Sequence, residues 1–484
     1  MKLKDILTNC NLLDIVGNKD RDITDITFDS RKATEGFMFF AVKGTQVDGH
    51  DYIGKAVENG VAAIVCEQLP KDKTDNVTYI QVENSAYALG VAASNFFGNP
   101  SEKLRLVGVT GTNGKTTIAT LLYRLFTDAG HSCGLLSTIE NIIGRETIPA
   151  THTTPDPIEL NALLQRMVEK GCEYAFMEVS SHSVAQDRIA GLHFAGGIFT
   201  NLTHDHLDYH KTMANYRDAK KKFFDGLEQS AFALTNLDDK NGAIMLQNTR
   251  AKKLSYALKH DADFKGIVLE SHFDGMLMKV NGTEVFTQLV GGFNASNLLA
   301  IYGAATALGF DKNELLVEIS KLHGAKGRFD MVYSEQGIIG IVDYAHTPDA
   351  LENVLKTINE VRCHKEMLIT MVGCGGNRDA TKRPEMAAVA VKMSDRVILT
   401  SDNPRNEDPD EIIRQMKAGI DASDSRKVLS ITNRREAIRT AVALAKRNDI
   451  ILLAGKGHEN YQEINGIKNH FDDKEELSKA FKEA

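Results

Sequence analysis

The clearest hydrophobic pattern of the chain surrounds a glycine-rich stretch near residue 110. An apolar run over residues 104–107 precedes GVTGTNGKTT (108–117), and apolar residues then recur from Ile118 to Phe126 at i, i+3, i+4, i+7 and i+8. The first run is typical of a buried strand and the second of an amphipathic helix. The pattern therefore predicts a strand, a loop and a helix in succession.

Strand-length apolar runs alternate with helical patterns along the rest of the chain, which is typical of an α/β fold with parallel strands. Breaker residues in FFGNPSEK (96–103) and a change of pattern at GAKGRFDMV (324–332) divide the 484 residues into three parts. We therefore predict three domains, at residues 1–100, 101–328 and 329–484. They are a compact α/β unit, a central parallel-sheet domain and a third α/β domain.

Three apolar strands of the last part end in clusters of glycine, acidic, histidine and arginine residues. They lie in IIGIVDYAH, MLITMVGCGGNRD and IILLAGKGHE. Ligands bind at the carboxyl ends of parallel strands, so we expect these three strand tips to share one site.

Composition narrows the class of protein. Hydrophobic residues make up 42% and charged residues 25%, which is ordinary for a soluble globular protein. The net charge of −8 argues against a nucleic-acid partner, so an anionic ligand needs a local cluster of cations. Six scattered cysteines without a CxxC pair indicate reduced thiols. The chain shows no signal-peptide pattern and no apolar stretch of about 18 residues, so we expect a cytoplasmic protein without membrane insertion.

GVTGTNGKTT has the features of a phosphate-binding loop. Gly111 and Gly114 let the backbone approach an anion, and the following helix begins at its positive end. Lys115 would reach the outer phosphates of a nucleotide, and the Thr116 hydroxyl would bind magnesium. The first glycine, Gly108, lies one residue too early for the common pattern, so we interpret the stretch as a variant. The alternative is a glycine-rich turn that only caps a helix.

Two further candidates follow strands of the central part. Glu178 lies in the apolar run YAFMEV, where a metal-binding or water-positioning acid is expected opposite a phosphate loop. An acid near a strand end is unremarkable by itself, so this interpretation depends on the loop. THDHLDYH (203–210) concentrates imidazoles and carboxylates after the run GGIFTNL. It is either a metal and phosphate site or a polar surface loop.

YRDAKKKFF (216–224) predicts a helix with Tyr216 and Lys220 on one face. An exposed basic face is the ordinary interpretation of such a run, and the acidic run DDKEE (472–476) is interpreted in the same way, as a solvated face. A bare ammonium would also repel a magnesium ion. The spacing alone therefore gives no reason to choose Lys220 as a site residue.

DNPRNEDPDE (402–411) predicts a turn that leads into a helix. Asp408 is the expected N-cap, Pro409 the first helical residue and Glu411 the partner in a capping box. The cap does not explain Arg405 and Asp402. A guanidinium is well suited to bind a carboxylate at two points, and a substrate role for Arg405 stays open on spacing alone.

Together these stretches resemble the Mur ligases, the ATP-dependent amino-acid ligases of peptidoglycan precursor synthesis. Eleven landmarks carry the resemblance over almost the whole chain: FDSRKATEGFMFFAVKG, GVTGTNGKTT, HTTPD, MEVSSHSVAQDR, NLTHDHLDYH, YRDAK, GGFNASN, DYAHTPDAL, GCGGNRD, DNPRNEDP and AGKGHE. Any one is weak, but the set in this order is very specific. It implies an N-terminal UDP-substrate-binding domain, a central P-loop ATPase-like ATP-binding domain and a C-terminal Rossmann-like domain that binds the amino acid.

The DNPR stretch looks like that of the members that add meso-diaminopimelate to UDP-N-acetylmuramoyl-L-alanyl-D-glutamate. This resemblance implies that ATP phosphorylates a substrate carboxylate and that the incoming amine then displaces phosphate. Small-molecule substrates, ATP and Mg²⁺ are the expected ligands. We also expect a monomer whose domains close on their ligands.

The resemblance further implies roles for residues of the nucleotide site. Members carry an N-carboxylated lysine at the position of Lys220, and a carbamate formed from carbon dioxide can sit beside magnesium where an ammonium cannot. The implied catalytic residues are Lys115, Glu178, His206 and Lys220. The implied metal contacts are Thr116, Glu178, His206 and the Lys220 carbamate. The implied ATP contacts are Gly111, Thr112, Asn113, Gly114, Lys115, Thr116 and Thr117, with Asn294, Asn297 and His346 near the adenosine.

Two more sets follow by resemblance. Ser30 and the region around Lys43 would hold the uridine nucleotide, and the muramoyl dipeptide would pass Thr153, Thr154, Ser180, Gln186 and Arg188. Diaminopimelate would contact Arg378, Asp402, Asn403, Pro404, Arg405, Gly455 and Glu459. The arginines would meet a carboxylate and the acids an ammonium. His152 stands where an amide is expected, which leaves that contact to the dipeptide open.

Rival interpretations remain. One is another ligase of the same superfamily that adds L-lysine to the same dipeptide or glutamate to folate; the intact DNPR and the UDP-type first domain weigh against both. A different class is an ATP-driven switch protein, whose ATP hydrolysis would be independent of any amino acid. A switch would leave the three strand-end clusters of the last domain unexplained.

Overall fold

The computed structural model describes residues 1–44, 47–363 and 365–484. Its strands form three main sheets and one small hairpin, with helices packed around them. The predicted α/β fold is confirmed.

The first sheet has the strand order β1-β5-β4-β3-β2, and its strands are parallel except β1. The strands are β1 (Leu12–Val16), β2 (Asp25–Thr27), β3 (Phe37–Phe40), β4 (Ala63–Cys66) and β5 (Thr78–Val82). The helices of this part are α1 (Leu3–Ile6), α2 (Ile53–Glu58) and α3 (Ser85–Phe96).

The second sheet contains the predicted strand, loop and helix at its centre. Its strands are β6 (Arg105–Thr110), β7 (Cys133–Leu136), β8 (Glu140–Ile143), β9 (Glu146–Pro149), β10 (Tyr174–Glu178), β11 (Gly196–Phe199), β12 (Phe232–Asn236), β13 (Lys252–Ala257), β14 (Phe264–His272), β15 (Gly275–Val280) and β16 (Thr283–Thr287). The helices are α4 (Lys115–Asp128), α5 (Pro157–Glu169), α6 (Ser181–Ala185), α7 (Leu207–His210), α8 (Met213–Asp225), α9 (Gly242–Met245), α10 (Gly292–Ala307) and α11 (Lys312–Ser320).

The strand order of this sheet is β16-β15-β14-β13-β12-β11-β6-β10-β7-β8-β9. The strands from β7 to β14 in this order are parallel, but antiparallel hairpins extend both edges. The predicted parallel sheet is confirmed for these seven strands, and the edge hairpins add antiparallel strands that the pattern does not predict. The apolar face of α4, from Ile118 to Phe126, is buried in the core beside β6, as predicted.

The third sheet has the order β17-β18-β22-β19-β20-β21 and is parallel except β17. Its strands are β17 (Asp330–Tyr333), β18 (Ile339–Asp343), β19 (Leu368–Val372), β20 (Arg396–Leu399), β21 (Val428–Ser430) and β22 (Ile450–Ala454), followed by the hairpin β23 (Tyr461–Ile464) and β24 (Ile467–His470). The helices are α12 (Pro348–Val361), α13 (Lys382–Met393), α14 (Pro409–Lys417), α15 (Arg434–Leu444) and α16 (Asp473–Glu483).

The start of α14 matches the predicted cap only in part. The Asp408 carboxylate accepts a hydrogen bond of 2.8 Å from the Asp410 amide, and Pro409 is the first helical residue. Glu411 instead accepts hydrogen bonds from Arg414, so the predicted capping box is wrong. An ion pair within the helix has replaced the return bond to the N-cap.

The three sheets lie within residues 12–82, 105–287 and 330–454. The exact domain boundaries at 100 and 328 stay a prediction. No helix among the described residues is long and apolar enough to cross a bilayer.

Candidate active site

The loop between β6 and α4 requires its glycines. Gly111 has φ +153°, and a Cβ atom there would lie 1.8 Å from Thr200 Oγ1. Gly114 has φ +88° and precedes the first residue of α4. The loop therefore meets a helix N-terminus, an arrangement that suits phosphate. Gly108 lies inside β6, where a Cβ atom would lie 2.7 Å from the Phe223 ring, so its role there is packing.

Two lysines converge on one carbonyl oxygen of this loop. Lys115 Nζ donates hydrogen bonds to the carbonyl oxygens of Gly111 (3.0 Å) and Thr112 (2.8 Å). Lys220 Nζ donates to the same Gly111 oxygen at 2.8 Å. Burial lowers the pKa of both lysines, and the charge of Lys115 adds to the lowering at Lys220. The pKa of Lys220 falls well below its ordinary value.

Lys220 is buried, with 1% of its surface exposed, although a solvated basic face is the ordinary interpretation of its run. That interpretation is wrong for Lys220 but holds for Lys222, which is exposed. Tyr216 lies on the same face of α8 as predicted, with its ring centroid 4.7 Å from Lys220 Nζ. The Tyr216 hydroxyl lies 3.2 Å from Thr112 Oγ1, which ties this helix to the loop.

Glu178 ends β10 beside the loop strand and is fully buried. Its Oε1 accepts a hydrogen bond of 2.7 Å from the Thr138 amide, and its buried Oε2 has no hydrogen-bond partner among the described residues. An unpartnered carboxylate oxygen beside a phosphate loop is a suitable ligand for Mg²⁺. The Thr116 hydroxyl accepts a hydrogen bond of 3.2 Å from Arg328, and this oxygen also suits the ion.

The run THDHLDYH is partly buried and partly exposed. His204 and Asp208 are exposed, whereas His210 is buried and its Nε2 lies 2.9 Å from Ser181 Oγ. His206 is half-exposed, and its ring centroid lies 4.8 Å from that of His182. No group of three or more His, Cys, Asp or Glu residues that could hold a metal ion occurs in the described part of the chain. A metal here would therefore need oxygen ligands from phosphates or a modified lysine.

The residues predicted for the dipeptide path form one hydrogen-bonded group next to Glu178. Thr154 Oγ1 donates to the Glu178 carbonyl oxygen at 2.8 Å and accepts from the Ser180 amide at 3.2 Å. Arg188 donates to the Thr154 carbonyl oxygen at 2.9 Å and to Gln186 Oε1 at 2.6 Å. Thr153 Oγ1 accepts from Thr138 Oγ1 at 3.1 Å.

Ser30 and Lys43 lie outside this group, in the part of the chain that holds the first sheet. Ser30 is buried and Lys43 is exposed, and no hydrogen bond among the described residues joins either side chain to the dipeptide group. The structure therefore brings together the central residues of the predicted path but not its uridine end.

The predicted adenosine residues separate into two places. Asn294 is buried in α10 and lines a cavity of about 330 Å³ together with Phe273, Leu289, His323, Arg328 and Tyr333. Asn297 Nδ2 donates to Asn294 Oδ1 at 3.2 Å, and Asn297 Oδ1 lies close to Gly114. His346 does not line this cavity. Its ring centroid lies 4.7 Å from that of Tyr344 with the rings tilted by 55°, and burial together with the charge of Lys382 lowers its pKa to about 4.

Arg328 was not identified from the sequence as a site residue. It donates to Thr116 Oγ1 at 3.2 Å, and its guanidinium carbon lies 4.5 Å from the Tyr344 ring centroid. The arginine thus connects the loop of the second sheet with the end of β18. Its position just beyond the second sheet, in GAKGRFDMV, is the one signal in the sequence that could have singled it out.

The strand tips of the third sheet meet, and Arg405 lies among them. Its backbone has φ +52° and forms an isolated bridge to Ile464 of the β23–β24 hairpin. Its side chain donates to the Gly376 carbonyl oxygen at 2.8 Å, and Nε lies 3.5 Å from Glu463 Oε2. Arg378 is exposed, and a Cβ atom at Gly375 would lie 2.9 Å from Arg405 Nη1 and 3.9 Å from Arg378 Cγ, so both arginines lie beside this glycine.

The predicted acids of this pocket lie side by side. Asp402 follows β20 and Glu459 follows β22, and both are largely buried. Asp402 Oδ1 has no hydrogen-bond partner among the described residues, whereas Glu459 Oε2 accepts from Asn403 Nδ2 at 2.7 Å. Burial and the charge of Asp402 raise the pKa of Glu459. Pro404 is buried next to them.

Gly455 keeps space open at this point, because it has φ +114° and a Cβ atom there would lie 3.3 Å from Asp402 Oδ2. The floor of the pocket contains a buried ion pair that the sequence did not reveal. Arg434 forms a fully buried ion pair with Asp473, at 2.6 Å, and donates to the carbonyl oxygens of Ser401 and Ala454. These oxygens directly precede Asp402 and Gly455. The solvated-face interpretation of DDKEE is therefore wrong for Asp473.

Three family models match the chain. The description "Mur ligase family, catalytic domain" covers residues 22–97, "Mur ligase middle domain" covers 109–305 and "Mur ligase, glutamate ligase domain" covers 327–457. Together they span most of the chain, in the order of the three sheets.

Two similar proteins carry the same name. The protein named UDP-N-acetylmuramoyl-L-alanyl-D-glutamate--2,6-diaminopimelate ligase in Bacteroides fragilis is 60% identical over 481 residues, which is 99% of each chain. A Bacillus velezensis protein of the same name is 43% identical, over 96% of this chain and 95% of its own.

Solved structures agree with the fold. A structure titled as the same diaminopimelate ligase is 33% identical, with a TM-score of 0.70, and covers 100% of this chain and 99% of its own. The MurF ligase of Thermotoga maritima, solved in complex with ADP, is 19% identical with a TM-score of 0.62, over 95% and 97% of the two chains. This second likeness shows the fold alone.

Proposed function

Since this chain belongs to the Mur ligase family, we propose that it is the ATP-dependent ligase that adds meso-diaminopimelate to UDP-N-acetylmuramoyl-L-alanyl-D-glutamate. The enzyme uses ATP and Mg²⁺ and takes part in peptidoglycan precursor synthesis. One observation of the structure carries the amino-acid assignment. A guanidinium and two buried carboxylates meet at the strand tips of the third sheet, as an amino acid with a second ammonium and carboxylate requires.

The reaction has two steps. An oxygen of the substrate carboxylate attacks the γ-phosphorus of ATP, ADP leaves, and an acyl phosphate results. The neutral amine of diaminopimelate then attacks the acyl carbon, the amide forms, and phosphate and a proton leave. The protein mainly positions these groups and neutralises charge, because phosphoryl transfer needs little covalent help.

The nucleotide site has the groups for this task. Lys115 now bonds to loop carbonyl oxygens and would turn to the outer phosphates of ATP. Thr116, Glu178 and His206 would hold Mg²⁺, which when bound neutralises phosphate charge. Asn294 and Asn297 would approach the adenosine from α10, and His346 would approach the nucleotide from the third sheet.

Lys220 supports a carbamate at this site. Because its pKa is lowered, its amine is available in the neutral form that attacks carbon dioxide. The nitrogen forms a bond to the carbon and releases a proton, and the resulting carbamate is an anion. It would be an oxygen ligand beside Glu178, where no other group completes a metal cluster among the described residues.

The other predicted residues would bind the UDP-dipeptide and diaminopimelate. Thr153, Thr154, Ser180, Gln186 and Arg188 would line the dipeptide path, and Ser30 with Lys43 would hold the uridine end. Arg378 and Arg405 would bind the distal carboxylate of diaminopimelate, with Asp402, Asn403, Pro404, Gly455 and Glu459 around its ammonium. L-Lysine lacks that carboxylate, so its binding would leave the partly buried Arg405 guanidinium without a substrate anion, which disfavours it.

The three-domain division at residues 100 and 328, a monomeric state and a cytoplasmic location belong to the same proposal. Each of them agrees with a family that works on small soluble substrates. Size-exclusion chromatography with light scattering tests the monomer.

Phosphate release tests the function. Wild-type protein is given ATP, Mg²⁺ and the UDP-dipeptide together with meso-diaminopimelate, with L-lysine or with no amino acid. Release that depends on both the dipeptide and diaminopimelate is expected. Release with lysine instead would keep the family but overturn the Arg405 assignment, and release without any amino acid would indicate a switch protein.

A further inference from the structure

A fully buried lysine lies beneath the amino-acid pocket. Lys456 belongs to the loop after β22, and none of its surface is exposed. Its Nζ lies 3.6 Å from Asp402 Oδ1 and 3.4 Å from Glu459 Oε2. It also donates hydrogen bonds to Asn403 Oδ1 at 3.4 Å and to the Tyr461 carbonyl oxygen. One ammonium group therefore contacts both acids of the pocket.

We infer that Lys456 is the fixed counter-ion of the amino-acid pocket and keeps Asp402 and Glu459 ionised together. This inference rests on the proposed function and names a positioning residue for its ammonium subsite. Two carboxylates buried side by side share a proton unless a cation lies between them. With Lys456 in place the three groups carry one net negative charge, which matches one substrate ammonium.

The hydrogen bonds leave one acid free for the ligand. Glu459 is held by Asn403 at 2.7 Å and by Lys456, whereas Asp402 Oδ1 has the Lys456 charge at 3.6 Å but no hydrogen bond. A buried carboxylate oxygen without a hydrogen bond is costly, and a substrate ammonium would provide the missing donor. Gly455 leaves the neighbouring Oδ2 accessible, because any side chain there would approach it.

The other charged and titratable groups around the acids do not replace Lys456. Arg434 is already paired with Asp473 in a fully buried ion pair. Burial raises the pKa of the Glu459 carboxyl, and the charge of Lys456 opposes that rise. Among the described residues, Cys374 after β19, Tyr344 after β18 and Tyr461 on β23 also interact with the acids, and the charge of Arg405 acts on Tyr461.

Lys456→Met tests the inference, because it removes the charge and keeps the length of the side chain. The pair of acids should then bind a proton at neutral pH and lose it as the pH rises. The KM for meso-diaminopimelate should rise about 10-fold at pH 7 but only about 3-fold at pH 9. The kcat at saturating diaminopimelate and the KM values for ATP and the dipeptide should stay near those of the wild type.

Lys468→Met is the matched control. Lys468 is exposed on β24, and its Nζ lies 4.3 Å from the Tyr461 ring centroid, so it is a nearby cation with no contact to either acid among the described residues. Its KM for diaminopimelate should be unchanged at both pH values. A KM of Lys456→Met that is equally affected at pH 7 and pH 9, or a parallel loss for all three substrates, would overturn the inference.

A double variant keeps the inference testable if Lys456→Met does not fold. Lys456→Met with Asp402→Asn removes one charge of each sign and leaves Glu459 as the one anion. It should fold and should bind diaminopimelate weakly but without the pH dependence. Failure of the double variant to restore folding would overturn the counter-ion role of Lys456. Absence of diaminopimelate-dependent turnover in the wild type would instead overturn the proposed function, and the inference with it.

Discussion

Two buried lysines of this chain lie in opposite electrostatic surroundings. Lys220 and Lys456 are 1% and 0% exposed. Lys456 has two carboxylates within 4.0 Å of its Nζ, whereas no carboxylate of the described residues lies that close to Lys220. Lys220 instead donates a hydrogen bond to the Gly111 carbonyl oxygen, which also accepts one from Lys115.

The difference shows how one side chain serves two purposes. Burial without an anion favours the neutral amine, which is a nucleophile for carbon dioxide. Burial between two anions favours the ammonium, which then fixes the charge of a pocket. We therefore propose that Lys220 is the group of the nucleotide site that carbon dioxide modifies and that Lys456 is the counter-ion of the amino-acid site.

Lys220→Ala should have the largest effect on activity. Loss of the carbamate should lower kcat about 1000-fold, as for removal of a strong electrostatic group from an active site. A small added carboxylate such as formate should restore part of the rate. Lys221→Ala on the same helix is the control, because Lys221 pairs with Asp225 rather than with the loop. Full activity of Lys220→Ala without rescue would contradict the carbamate.

Methionine at the two positions should change stability in opposite directions. Lys456→Met leaves two acids without their cation and should lower the free energy of unfolding by about 3–5 kcal/mol. Lys220→Met should raise it at pH 7 in buffer free of carbon dioxide. The folded-state pKa of Lys220 is lowered, so folding must release a proton from a lysine that is charged when unfolded.

The gain from Lys220→Met should shrink as the pH approaches the ordinary lysine value of 10.5, because the unfolded chain then also loses the proton. Urea denaturation at pH 7 and pH 9.5 measures both variants. If the free energy of unfolding changes in the same direction in both variants, the two lysines do not differ as described.

Arg405→Ala should weaken the use of diaminopimelate by about 2–5 kcal/mol in kcat/KM, as for one partner of a buried charge pair. The value for L-lysine should change little, since lysine has no distal carboxylate. Arg414→Ala is the control, because Arg414 is exposed in the next helix and pairs with Glu411. An unchanged preference for diaminopimelate over lysine would show that Arg405 does not bind the distal carboxylate.

Glu463→Gln should have the smallest effect. Glu463 Oε2 lies 3.5 Å from Arg405 Nε, and both side chains are 22% exposed. Loss of this partly buried pair should weaken diaminopimelate binding by about 1 kcal/mol, which raises its KM about 5-fold, and should leave kcat unchanged. Glu475→Gln, in an exposed pair with His470, is the control. A fall in kcat with constant KM would exclude a positioning role.

Hydrophobic patterns correctly predicted those parts of the fold that depend on one short segment of the chain. The strand, loop and helix from residue 104 to 126 and the shared face of Tyr216 and Lys220 depend on spacing along one segment. The capping box at Glu411 failed because Arg414, three residues on, offered a competing ion pair. The hairpins at the edges of the second sheet were not predicted, because pairing direction is decided between segments.

Burial of charge could not be predicted from spacing. Helical periodicity places Lys220 on a face but does not show that the phosphate loop covers that face. The same holds for Asp473, whose partner Arg434 lies on another helix, and for Lys456, whose acids follow two different strands. Resemblance to a family implies the role of Lys220, and the structure adds a buried environment that lowers the pKa of its amine.

Isotope transfer tests the ligase most directly. The UDP-dipeptide is prepared with ¹⁸O in the carboxylate that reacts, and the phosphate released with ATP and meso-diaminopimelate is examined by mass spectrometry. An acyl phosphate intermediate predicts one ¹⁸O atom in each phosphate, because the bridging oxygen leaves with it. Phosphate without ¹⁸O, released at the same rate, would show that ATP is hydrolysed by water and would contradict the ligase mechanism.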